Sequence, residues 1–256
     1  ERPAEKVVTV AGTNGKGSTV IAMESLLLSA GMAVLSSISP HVKRFNERIR
    51  INGEEASDLD ICSAFQSIDE ARLLDREIPL TYFEYSALAS LYLAKMKQVN
   101  VAIFEIGLGG RLDAFNVIDA HTAVITSIGY DHMEFLGNNL ESIGREKAGI
   151  LRPEQRVVLG PDMPESVTEC CDKLDLSPRT YGKDFFADSS GVSQCWNLNA
   201  DDYHVADIPL TNLAPQNIAI AFETAKTITA IKHDCLKKSS LIRHFPGRLE
   251  LVEYSG

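Results

Sequence analysis

The sequence predicts an α/β fold, a doubly wound, mostly parallel sheet with flanking helices and a small β-rich segment. Short apolar runs alternate along the chain with stretches in which apolar residues recur at helical spacing. Two of these runs, residues 100–106 and 123–128, are continuous, which is typical of parallel strands buried on both faces. A glycine-rich segment, residues 12–17, joins the first apolar run to the first helical stretch, as in phosphate-binding loops of such sheets.

The first half of the chain supplies most of the expected sheet. Short runs of apolar or alternating character predict strands at residues 6–10, 33–38, 48–51 and 100–106. Helical spacing of apolar residues predicts helices at residues 18–30, 58–75 and 82–97, with Pro79 as a breaker between the last two. Residues 39–47 are polar and form a long loop, and Asn52-Gly53 indicates a tight turn after the third strand.

The second half continues the alternation and then changes character. We expect strands at residues 123–128 and 156–160, with a helix at 140–149 between them. From Pro161 the chain is acidic and rich in Asn and Asp, so we treat residues 161–210 as a β-rich subregion with short antiparallel strands at 185–210. Helices are expected at residues 216–231 and 236–244.

Composition narrows the class of protein. With 256 residues, 45% of them hydrophobic, the chain can build a sizeable core without disulfides. The net charge of -10 argues against a duplex nucleic acid partner, which would favour a basic stripe. We find no apolar run long enough to cross a membrane and no leader. Five cysteines without a CxxC motif indicate reduced thiols and a cytoplasmic chain, which we expect to be a monomer.

The glycine-rich segment is the strongest local signal for function. Its glycines let backbone N–H groups surround a phosphate, and Lys16 adds a cation near the terminal phosphoryl group. Gly17 stands where Ser or Thr normally follows the lysine, so a magnesium-binding hydroxyl must come from Ser18 or from elsewhere. The alternative is an ordinary turn with a surface lysine. The candidate nucleotide-binding residues are Gly12, Thr13, Asn14, Gly15, Lys16, Gly17, Ser18 and Thr19.

Three later residues carry further candidate chemistry. Glu105 ends a buried strand, where a carboxylate is poorly solvated unless it holds a metal or a proton. His132 follows the next strand and should face the same sheet edge. Lys147 lies on the helix after it. A hydrogen-bonded or surface histidine and a solvated basic helix face are the alternatives for His132 and Lys147.

Seven segments in order resemble one family. They are GTNGKGS at 12–18, Ser39-Pro40-His41 with Asn46-Glu47-Arg48, TYFEY at 81–85, EIGLGGRLD at 105–113, SIGYDH at 127–132, REKAGI at 145–150 and FPGR at 245–248. Together they resemble folylpolyglutamate synthases of the bacterial bifunctional dihydrofolate synthase type, within the Mur ligase superfamily. The resemblance runs over residues 7–252.

The resemblance implies an ATP-dependent ligase. Such enzymes use ATP and Mg²⁺ to convert a carboxylate to an acyl phosphate, which the amine of L-glutamate then attacks. The other substrate is dihydropteroate or a reduced folate. By this resemblance Ser39, Glu105 and His132 bind the metal, with Ser18 as a further candidate, and Lys16 and Lys147 are catalytic. Lys147 is expected to be carbamylated, which requires burial to lower its pKa.

The resemblance also implies binding residues. Asn217 would meet adenine and Arg248 the nucleotide phosphates, the alternatives being a helix N-terminal polar residue and a surface arginine. The acceptor would lie against the loop of residues 39–50 and the region of Phe83 and Glu84, with contacts from Asp113 and Asn116. Arg48 and Lys43 are suited to pair with its carboxylate. Alternatively, Lys43, Arg44, Arg48 and Arg50 form the exposed side of a hairpin.

Two departures from the family pattern leave alternatives open. The family usually has Thr where this chain has Phe115. A second, Rossmann-like domain that opens with an Asp-x-Ala-His-Asn-Pro pattern does not occur in residues 1–256, so we expect one ATP-binding domain here. The competing interpretations are an ATP- and pterin-binding module without turnover and a muramoyl amino-acid ligase.

Overall fold

An eight-stranded sheet forms the centre of the computed structural model, which describes residues 2–238. The strand order is β4-β3-β2-β5-β1-β6-β7-β8. From β2 to β8 all neighbours are parallel, whereas β3 and β4 add an antiparallel hairpin at one edge. The strands are β1 (Lys6–Ala11), β2 (Val34–Ser37), β3 (Ile49–Ile51), β4 (Glu54–Glu55), β5 (Val101–Glu105), β6 (Thr122–Ile125), β7 (Arg156–Leu159) and β8 (Arg179–Thr180). The predicted fold class is confirmed.

Helices cover both faces of this sheet. They are α1 (Lys16–Ser29), α2 (Asp58–Arg72), α3 (Tyr82–Met96), α4 (Met133–Leu136), α5 (Leu140–Ala148), α6 (Glu165–Lys173) and α7 (Pro215–Lys226). Buried residues of α2, α3, α5 and α6 share one core cluster, and those of α1 and α7 share the other. No helix in the described part of the chain has both the length and the apolar character that crossing a bilayer requires.

The central strands feed both clusters because side chains alternate between the two faces of a strand. In β5, Ala102 and Phe104 point into the cluster of α2 and α3, while Val101 and Ile103 point into that of α1 and α7. All four are fully buried. This explains why the strand is continuously apolar in the sequence.

A small antiparallel sheet packs against α7 rather than extending the large one. Its strands are β9 (Phe185–Ser189), β10 (Cys195–Ala200) and β11 (His204–Pro209), in the order β11-β10-β9. Trp196, Leu198 and Ile208 bury their side chains in the cluster of α1 and α7. The expected antiparallel strands are confirmed.

The expected β-rich subregion at 161–210 begins too early. Helix α6 and strand β8 of the large sheet occupy its first part, and the small sheet starts at Phe185. The signal for α6 was present, because Val167, Cys170, Cys171 and Leu174 have helical spacing and pack on the core. The acidic composition of the segment masked it.

Several element ends also differ from prediction. Helix α1 begins at Lys16 rather than at residue 18, so the glycine-rich loop is shorter than expected. Helix α7 ends at Lys226 rather than at 231, with Thr227 as its C-cap residue. The helix expected at 236–244 is represented by a 3-10 helix, His233–Lys237, and its remainder, like Arg248, lies outside the described residues. The Asn52-Gly53 turn is confirmed, with φ of 53° and 87° at its two central residues.

Candidate active site

The phosphate-type loop lies at the carboxyl ends of the parallel strands, where ligands of doubly wound sheets bind. It connects β1 to α1, whose N-cap residue Gly15 has φ 84°, a left-handed conformation that glycine adopts readily. A Cβ at Gly15 would come within 2.6 Å of the Asn217 side-chain oxygen, so the first turn of α7 touches this loop. The loop and the two helices therefore form one packed unit, with the positive end of α1 at the loop.

Two lysine ammonium groups converge on one carbonyl of the loop. Lys16 Nζ donates to the Gly12 carbonyl at 2.9 Å and to that of Thr13 at 3.2 Å. Lys147 Nζ donates to the same Gly12 carbonyl at 3.1 Å. Burial, together with the charge of Lys16, lowers the pKa of Lys147 to about 8. Lys147 is thus not on a solvated basic face, since only 4% of it is exposed.

The segment after β6 braces the loop from the side. Thr126 Oγ1 donates to the Asn14 carbonyl at 2.7 Å, and Ser127 Oγ accepts from the Asn14 amide at 2.9 Å. Thr13 Oγ1 donates to the Gly129 carbonyl and accepts from the Gly129 amide. These bonds explain why β6 ends at Ile125 instead of at the predicted residue 128. Sequence reasoning missed Thr126 and Ser127 as supporting residues, although Ser127 begins the SIGYDH segment and Thr126 directly precedes it.

Not every residue of the loop is open to a ligand. Asn14 is exposed and Lys16 is half-buried, whereas Ser18 is 7% exposed and Thr19 is completely buried. The Thr19 hydroxyl has no hydrogen-bond partner within the described residues. Lys16 and Asn14 therefore present the accessible polar groups.

The predicted metal-binding residues Ser39, Glu105 and His132 lie at or after the carboxyl ends of parallel strands β2, β5 and β6. Glu105, at the end of β5, is 3% exposed and accepts a hydrogen bond from the Ser39 amide at 2.9 Å. His132 follows β6, has φ 48° and is exposed, with its Nε2 3.7 Å from a carboxylate oxygen of Asp131. Between residues 2 and 238, no three His, Cys, Asp or Glu side chains are grouped to hold a metal ion.

The donor set nevertheless suits one class of metal. Mg²⁺ and Mn²⁺ favour carboxylate and hydroxyl oxygens, usually with nucleotide oxygens completing the shell. Glu105, Ser39 and Ser18 offer such oxygens, and a buried carboxylate benefits from a positive partner. The residues present fit an oxygen-preferring divalent cation.

A cavity of about 640 Å³ opens beside the carboxyl ends of these strands. Ser39, Pro40, Arg48, Phe83 and Glu84 form one part of its wall. The glycine-rich turn after β5, with Asp113, forms another part. Ser39 both borders the cavity and bonds to Glu105, so the cavity adjoins the predicted metal residues. A volume of this size suits a small-molecule ligand.

Arg48 is built into the cavity wall. It is 8% exposed and lies in a 3-10 helix, Phe45–Arg48, rather than in β3. Its Nε donates to His41 Nδ1 at 2.8 Å, and its guanidinium lies 5.2 Å from the centre of the Tyr82 ring. The exposed-hairpin interpretation is wrong for Arg48.

The other basic residues of that loop do not reach the cavity wall. Arg50 pairs with the buried carboxylate of Glu24 at 3.1 Å, so the exposed-hairpin interpretation is wrong for Arg50 as well. Arg44 pairs with Asp58 on the surface, and Lys43 is exposed.

Three predicted acceptor contacts have structural bonds of their own. Asp113 accepts from the amides of Gly107, Leu108 and Phe115, and burial raises the pKa of its carboxyl group. Glu84 accepts from the Thr81 amide in the capping box of α3, which lowers the pKa of Glu84.

Asn116 donates to the carbonyls of Arg111 and Gly149 and is not part of the cavity wall. The structure therefore brings Asp113 and Glu84 to the cavity and leaves Asn116 behind it.

A second cavity, of about 650 Å³, lies between α2 and α3. Its wall is mainly aliphatic, with Ile68, Leu80, Leu88 and Leu91 among its residues, and it includes no residue of the phosphate loop. The cavity beside Ser39 is therefore the better candidate for the substrate site.

Comparison with known proteins agrees with this geometry. The model of the Mur ligase middle domain matches residues 10–211. The dihydrofolate synthase/folylpolyglutamate synthase of Escherichia coli is 38% identical over 256 residues, which are 99% of this chain and 60% of that protein. The chain thus spans about 60% of the length of this relative.

Solved structures of similar proteins have the same fold. E. coli FolC in complex with DHPP and ADP superposes with a TM-score of 0.91 at 37% identity, covering 98% of this chain and 60% of that one. A bifunctional folylpolyglutamate synthase/dihydrofolate synthase with Mn, AMPPNP and L-glutamate bound gives a TM-score of 0.89 at 37% identity, covering 98% and 61%. Because the middle-domain match spans more than half of the chain, this chain belongs to the Mur ligase middle domain family.

Proposed function

We propose that this chain is the ATP-binding part of a ligase that joins L-glutamate to dihydropteroate or a reduced folate. One observation carries the proposal: Ser39 connects the candidate nucleotide and metal site with the cavity for the acceptor. Its amide bonds to Glu105 at the sheet edge that bears the phosphate loop, and Ser39 also borders the acceptor-sized cavity. Relatives whose structures contain ADP, DHPP, AMPPNP and L-glutamate support the same substrates.

The reaction has to bring two anions together, the terminal phosphate of ATP and the acceptor carboxylate. At a separation of ~4 Å their repulsion costs about 4 kcal/mol at an effective dielectric of ~20. Lys16 supplies a fixed cation on the nucleotide side, and Arg48 supplies one in the cavity. A carboxylate oxygen then attacks the terminal phosphorus, ADP leaves, and the glutamate amine displaces phosphate from the acyl phosphate.

Ser39, Glu105 and His132 would hold the divalent metal, with Ser18 as a further candidate. When bound, Mg²⁺ would neutralise phosphate charge that the lysines alone cannot. By the resemblance Asn217 would contact the adenine, and its side-chain oxygen lies beside the phosphate loop, within 2.6 Å of a Cβ built at Gly15. Phe83, Glu84 and Asp113 would line the acceptor.

Carbamylation of Lys147 belongs to the proposal. The uncharged amine attacks CO₂ and loses a proton, which leaves a carbamate anion in place of a cation. Burial and a pKa lowered to about 8 support this, because a larger fraction of the amine is neutral near pH 7.5 than in an ordinary lysine. The protein is further proposed to act as a monomer. A cytoplasmic location is also proposed, and the five free cysteines support that location alone.

The decisive experiment separates binding from turnover. ADP and dihydropteroate are titrated by calorimetry, and glutamate-dependent phosphate release from ATP is measured with dihydropteroate as acceptor. Binding of both ligands with turnover supports the ligase. Binding without turnover favours the second candidate, an ATP- and pterin-binding module. Binding of a UDP-muramoyl substrate but not of dihydropteroate would contradict both.

A further inference from the structure

Three aromatic rings form a continuous stack from the core to the cavity. Phe104 of β5 and Phe115 stack with ring centres 4.7 Å apart and planes inclined by 12°. Phe83 of α3 meets Phe115 edge to face, with centres 5.8 Å apart at 89°. Only the outermost ring, that of Phe83, borders the cavity.

The inner two rings are completely enclosed by the protein. Phe104 and Phe115 are 0% and 1% exposed. The tip of the Phe83 ring is also confined, because a Cβ at Gly107 would lie 2.6 Å from Phe83 Cζ. Phe83 is therefore packed against both Gly107 and Phe115.

We propose that Phe115 is a specificity-determining residue of the acceptor cavity, which it shapes through Phe83 without touching the ligand. This inference rests on the proposed function. A flat aromatic acceptor gains most from a ring held in one orientation, because offset-stacked and edge-to-face contacts depend on geometry.

The residues that line the cavity indicate the chemical class of its ligand. Phe83 contributes an aromatic ring to the wall, and Arg48 contributes a guanidinium suited to a carboxylate. The ligand class that uses both is a fused aromatic heterocycle that carries an acid group. A carboxylate without the heterocycle, such as 4-aminobenzoate, should depend little on Phe115.

The test compares Phe115→Leu, Phe83→Leu and Phe185→Leu with the unaltered chain. Phe185 is a matched control, since it is equally buried but belongs to the core cluster on the other face of the sheet. Dihydropteroate, 4-aminobenzoate and ADP are titrated into each variant by calorimetry. Urea unfolding of each variant confirms that it is folded under these conditions.

We expect Phe115→Leu to weaken dihydropteroate binding about two- to tenfold, and Phe83→Leu to weaken it at least as much. ADP binding should change less than about twofold in all variants, and Phe185→Leu should leave both affinities unchanged. A merely structural role for Phe115 would alter ADP and dihydropteroate binding together, or neither.

The two possible failures differ. If the unaltered chain binds no dihydropteroate, the proposed function and this inference are both overturned. If it binds dihydropteroate, and Phe115→Leu binds it equally well, only the role of Phe115 is overturned.

Discussion

Lys16 and Lys147, separated by more than a hundred residues in the sequence, donate hydrogen bonds to the same carbonyl oxygen, that of Gly12. One ammonium group lies at the start of α1 and the other near the end of α5. Their mutual repulsion adds to burial in lowering the pKa of Lys147. The phosphate loop thus has two cations at its base before any anion is bound.

The lowered pKa of Lys147 makes stability depend on pH. Its ordinary value is 10.5 and its value in the folded chain is about 8, so between these values the unfolded chain binds more protons. The free energy of unfolding should therefore rise with pH across this window, by roughly 3 kcal/mol in total for this group. Urea unfolding in CO₂-free buffers at pH 7 to 11 measures it.

A variant isolates this contribution from other groups that titrate in the same range, Cys171 among them. In Lys147→Met the rise attributed to residue 147 should vanish, so the difference between wild type and variant changes with pH. Lys173→Met is the matched control, because Lys173 is exposed on α6. Parallel curves for wild type and Lys147→Met would contradict the buried, depressed lysine.

Lys16 should act on the terminal phosphates and not on the nucleoside. We expect Lys16→Met to weaken ADP binding by about tenfold or more, since a charge-assisted hydrogen bond contributes roughly 1.5–3 kcal/mol. Adenosine binding should stay within about twofold of the wild-type value. Calorimetric titration of both ligands checks this, and equal losses for ADP and adenosine would indicate a collapsed loop instead.

The hydroxyl of Thr126 supports the loop from a buried position. Thr126→Val keeps the side-chain shape but removes the 2.7 Å hydrogen bond to the Asn14 carbonyl, which still accepts from Ser127 Oγ at 3.0 Å. We therefore expect a loss of about 0.5–1.5 kcal/mol in the free energy of unfolding. ADP affinity should fall as well, because the loop loses its brace. Thr126→Ser retains the hydroxyl and should recover most of the ADP affinity. Undiminished ADP binding in the valine variant would show that the brace is dispensable.

Arg48 should discriminate between the two ligands of the site. Arg48→Lys keeps the charge but loses the planar contact with Tyr82 and the bond to His41, so acceptor binding should weaken by about tenfold. ADP affinity should be unaffected. Arg44→Lys, on the same loop but paired with Asp58 at the surface, should change neither affinity. Titration of dihydropteroate and ADP into both variants decides the matter, and equal acceptor binding in the two would exclude Arg48 from the cavity's function.

The parallel sheet and the phosphate loop could be predicted because they leave local signals. The run at 100–106 is apolar at successive positions since its residues feed both core clusters in turn. Glycines and a lysine between a strand and a helix mark the loop. The same apolar run placed Glu105 correctly at the end of its strand, and the burial of Lys147 that the resemblance implied is present in the structure.

Other features were not local enough to predict. The burial of Arg48 involves His41 earlier in the same loop and Tyr82 at the start of α3, and a run of basic residues gives no sign of it. The helical spacing of apolar residues from Val167 to Leu174 is a weak signal for a helix, because acidic residues surround it. The stack of Phe104, Phe115 and Phe83 joins three separate segments, so only the folded chain reveals it.

The bonds that brace the phosphate loop span 112 to 116 positions of the chain. Pairing of β1 with β6 must therefore come before the loop has its final shape, and such distant contacts form late and slowly in folding. A nucleotide would then bind only the completed sheet, and would stabilise it by mass action. ADP thus becomes a reporter of folding: nucleotide-binding capacity during refolding should appear together with the β1 and β6 pairing, and not with the earlier helices.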